Sequence, residues 1–192
     1  VLDGEKEFKS AVTACSKKLA TMRSELGLVK EKYAENANSL TALQDKHKVL
    51  SNILNIQKFK QESVCIGLEN AQKSQQKVAE SLEKLKSEYQ QAQKSMDKMK
   101  VSSTGTDKEI AEQEKKLKEL AQAIEKGEHN YDSASKRVDS WGTKLNRTQT
   151  QVLKANRAVQ QNEKYMHEAE NATDAKVRYK GKVGHVNKKF IE

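Results

Sequence analysis

From Phe8 onward, mostly apolar residues recur at alternating three- and four-residue intervals: Val12, Cys15, Leu19, Met22, Leu26, Val29, Tyr33, Asn36, Leu40, Leu43, His47, Leu50 and Leu54. This spacing keeps one seam of an α-helix turned toward a partner helix. Counted on without a skip, the seam reaches Val64, Leu68, Ala71, Gln75, Val78, Leu82, Leu85, Tyr89, Ala92, Met96 and Met99, and only Gln57 and Gln61 interrupt it. The segment Val101-Ser102-Ser103-Thr104-Gly105-Thr106-Asp107 stops the pattern, because it joins a glycine to hydroxyl residues that cap helices. An inter-helix turn is therefore expected near 101–107.

Beyond that turn the seam resumes through Ile110, Leu117, Leu120, Ile124, Tyr131, Ala134, Val138, Trp141, Leu145, Val152, Ala155, Val159, Met166 and Ala169, and it weakens toward Val183 and Phe190. At about 1.5 Å per residue, a helix from Asp107 to Ala175 would span on the order of 100 Å. The fold class is all-α: an elongated antiparallel bundle of long helices with coiled-coil-like packing, with residues 1–192 forming a single helical-bundle domain. Two arrangements satisfy the pattern. One is a hairpin of two very long helices, the other a three-helix bundle whose first half also folds back.

Composition supports the rod. The 192 residues include no proline and eight glycines, with 33% charged and 35% hydrophobic residues, too polar a mixture to surround a thick core. The net charge of +9 is spread by interleaving Lys and Arg with Asp and Glu, which describes a solvated helical surface better than a nucleic-acid stripe. No stretch approaches the ~20 apolar residues of a membrane span. The opening Val1-Leu2-Asp3-Gly4 is not a signal peptide, although a mature chain would have lost one.

If residues 5–100 formed one helix, Cys15 and Cys65 would stand about 75 Å apart, whereas a disulfide needs Cα atoms within roughly 7 Å. A bond between them would require a turn, and the least helical stretches are Glu35-Asn36-Ala37-Asn38-Ser39, midway, and Ser51-Asn52-Ile53-Leu54-Asn55. The alternative is two reduced thiols, with Cys15 as a small seam residue. Two cysteines together with the sequons at Asn146 and Asn171 favour an oxidising, secretory location.

One stripe lies beside the seam. Val49, Ile53 and Ile56 are a position off it and Phe59 two, with Ile66 seven residues further on, so this helix has a wider apolar face than two-stranded packing needs. Either a third helix covers the stripe or it is a ligand patch. Trp141, on the seam beside Gly142, reads as a core anchor, with Gly142 permitting either close helix approach or a kink. The scattered His47, His129, His167 and His185 suggest no chemistry. With no phosphate loop, nucleophile elbow, metal-binding pair or calcium loop, no enzyme and no cofactor or metal is expected.

The residues around Ala14-Cys15, the Leu26-Gly27 pair and Asp45-Lys46-His47 resemble the opening helix of trypanosome helical-bundle surface receptors, the haptoglobin-haemoglobin receptor group among them. The resemblance covers about the first third of the chain. It implies three long helices, a glycosylated ectodomain held on the cell by a GPI-type lipid anchor outside this sequence, and a host plasma protein as partner. That partner would be haptoglobin-haemoglobin, haemoglobin or a complement regulator such as factor H. It also implies a disulfide at Cys15, for which Cys65 is the only other cysteine. A passive surface-coat glycoprotein and an intracellular coiled-coil scaffold are the alternatives.

Overall fold

In a computed structural model of the chain, residues 3–102 and 105–188 are described, with side chains from 6 to 102 and from 105 to 173. Val1, Leu2, Phe190 and the Val183 side chain of the fading seam therefore lie outside the described residues. Three long helices, α1 (Asp3–Lys32), α2 (Leu40–Ser102) and α3 (Asp107–Lys188), pack against one another, and no strand occurs among the described residues. The all-α expectation holds, and of the two arrangements the three-helix one is found.

The chain forms two compact units. The first combines α1, α2 as far as Val64 and α3 from Asn146; the second runs from Cys65 to Leu145.

In the first unit the break between α1 and α2 falls at residues 33–39, where the seam loses its apolar residues at Asn36. The connection is held by short-range backbone bonds, such as Asn36 N–H to the Tyr33 carbonyl at 3.0 Å and Ser39 N–H to the Asn36 carbonyl at 2.9 Å. Ser39 then caps α2, its Oγ accepting from the Ala42 N–H at 3.3 Å. The other weakly helical stretch, 51–55, stays inside α2.

Between 40 and 64, α2 must face two neighbours. Val49 and Ile53 bury against Leu19 of α1, with Met22, Leu26, Val29 and Ile56 around them. One position along, Leu50 and Leu54 bury against Val159 of α3, with Val152, Ala155 and Ala158. Each such aliphatic side chain removed from water contributes about 1.5–3 kcal/mol, so these two stripes carry the unit.

The second unit contains only α2 and α3, and a narrow seam suffices. Ala92, Met96, Leu117 and Leu120 form its core, with Leu85 and Tyr89 partly buried beside them. Gln113 Nε2 donates to the Ala92 carbonyl at 3.0 Å, and Gln75 Nε2 donates to Ser135 Oγ at 2.8 Å. Trp141 is 2% exposed, the expected anchor. The glycine that admits it is Gly67 on α2: a Cβ there would sit 2.8 Å from the indole. Gly142 has nothing within 4 Å and plays no such part.

The expected turn near 101–107 lies where α2 ends at Ser102 and α3 begins at Asp107. Thr106 and Glu109 form a capping box. The Thr106 N–H donates to Glu109 Oε2 at 2.8 Å, and the Glu109 N–H donates to Thr106 Oγ1 at 3.3 Å. The Thr106 N–H first, and the Thr106 hydroxyl donating to the same oxygen at 2.9 Å second, hold the Glu109 carboxyl below its ordinary pKa.

The disulfide implied by resemblance is absent: both thiols are free, Cys15 buried and Cys65 half-buried. Cys15 belongs to the first unit and Cys65 to the second, and Cys15 serves instead as a small buried residue of the α1 seam.

Gly67→Ala is expected to destabilise the protein by about 1–3 kcal/mol through overpacking against Trp141, measured as a lower denaturation midpoint, while Gly142→Ala leaves it unchanged or slightly raised. Because the Glu109 pKa is depressed on folding, its cap is fully formed at neutral pH and is lost as pH falls through and below about 4. Amide exchange at residues 108–110, corrected for intrinsic rates, should accelerate over that window in the natural chain and show no such step in Glu109→Gln.

Candidate interaction surface

The apolar stripe of α2 divides at the limit of its cover. Val49 and Ile53 are buried and Ile56 is half-buried beneath α1, so for these three the third helix is the occupant. Phe59, in the same unit, remains 56% exposed. Its α2 neighbours Lys58 and Glu62 are also exposed. A phenyl ring left in water at the edge of a buried stripe is the feature that can bind another molecule. Ile66, in the second unit, is 39% exposed.

Other solvent-facing apolar side chains of the first unit are Leu28, Leu153 and Tyr165. Sequence reading passed over them because each stands off the seam. The available signal was an apolar residue next to a seam position, as Leu153 follows Val152. In the second unit Tyr131, counted on the seam, is 37% exposed, while Ala134, the next seam position, is buried.

The asparagines of both sequons are exposed on α3. Thr148, completing the first sequon, is buried. Asn171 Nδ2 lies 3.4 Å from His167 Nε2, within the last described side chains. His47 is half-buried and shares a hydrogen bond with Ser51 at 3.3 Å; His129 and His167 are exposed; the His185 side chain lies outside the described residues.

Electrostatics near the α1–α2 connection are local. Tyr33 Oη donates to Asp45 Oδ2 at 2.7 Å, and Lys32 Nζ donates to the same oxygen at 3.0 Å while lying over the Tyr33 ring. The Tyr33 hydroxyl first, and Lys32 second, hold the Asp45 carboxyl below its usual range. This arrangement ties the connection to α2 and is exposed enough to be screened by salt.

Two amides are buried in the first unit. Asn162 Nδ2 donates to the Leu43 carbonyl at 2.8 Å, while its Oδ1 and the Gln57 Oε1 have no protein partner. In the second unit, the groove lined by Val78, Leu82, Leu85, Ala123 and Gly127 is shallow and open to solvent. Among the described residues no group of three or more His, Cys, Asp or Glu could hold a metal ion, and no helix is long and apolar enough to cross a membrane. No protein-family model, no curated protein and no solved structure matches the chain.

Ile53→Asp would place a carboxylate between α1 and α2 and is expected to cost about 3–5 kcal/mol, the penalty of an unpaired buried charge. Phe59→Ser should change stability by less than about 1 kcal/mol, as for an exposed substitution. Parallel urea titrations would separate the two; equal losses would show that Phe59 belongs to the core.

Proposed function

We propose that the chain is the ectodomain of a parasite cell-surface receptor that docks a host plasma protein on a helical face, with Phe59 as the apolar anchor. One observation carries this reading: α1 covers Val49, Ile53 and Ile56, but the stripe continues to a Phe59 that stays in water beside Lys58 and Glu62. Exposed aromatic residues with a polar rim are the side chains that most often dominate a protein-protein contact. The net charge of +9 would raise the encounter rate with an acidic partner without choosing it.

The resemblance to trypanosome surface receptors supports the same direction, and with it go a cell-surface location, a GPI-type anchor outside this sequence and carbohydrate on Asn146 or Asn171. Haptoglobin-haemoglobin, haemoglobin and a complement regulator such as factor H are the ligands the reading puts forward. The free thiols of Cys15 and Cys65 favour a second reading, an intracellular coiled-coil scaffold, because reduced cysteines persist in reducing compartments.

Host plasma passed over the immobilised natural chain should yield one retained protein, and Phe59→Ser should weaken its capture at least tenfold, as expected of an anchor residue. A glycosylated protein from its native cell that retains nothing would be a passive coat. Bare sequons together with a stable oligomer in sedimentation would establish the scaffold instead.

A further inference from the structure

The second unit has two grooves, one on each side of the seam between α2 and α3, and they differ in charge. Leu82 of α2 lines both. The residues before and after any helical position stand about 100° to either side of it, so the neighbours of a seam residue go to opposite faces. Ser81 accordingly lines the first groove and Glu83 the second. On α3, Lys126 lines the first and Glu128 the second, with Gly127 between them in sequence.

The first groove has an apolar floor of Val78, Leu82 and Ala123. Its rim carries Lys77 and Lys126, both exposed, and among the described residues no carboxylate. The second groove is floored by Ala79 and Leu82, and Tyr131 lines it while 37% exposed. Its rim carries Glu83, Glu128 and Asp132, all exposed. Lys86 of the same rim is paired with Glu128 at 3.0 Å, so the excess of charge there is negative.

The geometry points to side-by-side association of copies of this chain: the acidic groove of one second unit, with the exposed part of Tyr131 as its apolar contact, docks on the basic groove of the next. A second copy is the fitting occupant because each groove carries the charge the other needs, at the level of the shared Leu82. Complementary potentials fix how two surfaces meet and suppress wrong partners. Two basic grooves repel, as do two acidic ones. The contact is therefore heterologous, each copy offering one groove to each of two neighbours, and it extends past a dimer.

Shallow floors ringed by exposed charged side chains make a contact of the weak, transient class. It forms where copies are crowded, and salt weakens it. Phe59 belongs to the first unit and takes no part in it, so the inference stands independently of the receptor reading.

The test is sedimentation equilibrium of the full chain from about 10 µM to about 1 mM. The average mass of the natural chain should climb with concentration past that of a dimer and fall back at high salt. The double variants Lys77→Glu, Lys126→Glu and Glu83→Lys, Asp132→Lys, each with an unchanged circular dichroism spectrum, should each self-associate at least about tenfold more weakly. An equimolar mixture of the two should recover association, and Phe59→Ser should associate as the natural chain does. A chain that stays monomeric, an association that stops at the dimer, indifference to both charge reversals, a mixture no stronger than its components, or an association lost with Phe59→Ser would each overturn the inference.

Discussion

The structure of the first unit depends on one geometric demand: α2 between Leu40 and Val64 must exclude water on two sides at once. Val49 and Ile53 turn toward α1, while Leu50 and Leu54 turn toward α3. Positions one residue apart differ by about 100° around a helix, so adjacent side chains can address two different neighbours. Where a helix has one neighbour, as in the second unit, a single seam is enough. The width of the apolar face therefore reports how many helices lie alongside.

That relation also explains why the candidate contact surface falls where it does. An apolar stripe is covered only as far as the helix above it has suitable side chains. Leu19 reaches Val49 and Ile53, with Ile56 packed beside them, whereas farther along α2 Lys60 bonds Ser16 of α1 and Phe59 stays in water.

Much of the architecture could be read from residue spacing. The seams, the break at Glu35–Ser39 and the cap at Thr106 follow from local rules, because heptad periodicity and capping are properties of neighbouring residues. The site was less legible. A linear count placed Tyr131 on the seam, assigned the close approach to Gly142 rather than Gly67, and could not divide Val49, Ile53 and Ile56 from Phe59 and Ile66. Each of these turns on which residue of another helix lies opposite, and that depends on long-range register.

Heptad surfaces are nearly self-similar, so two helices could slide along one another by a turn and still bury apolar groups. Asn162 removes that freedom. Its amide is 1% exposed and its Nδ2 donates to the Leu43 carbonyl, an oxygen whose second lone pair is free to accept beside its helical bond. Displaced along the helix by a turn, the amide would lose this bond, and a buried amide donor left unpaired costs about 1–3 kcal/mol. A single side chain thus works as a detent, giving an otherwise repetitive surface one preferred axial stop.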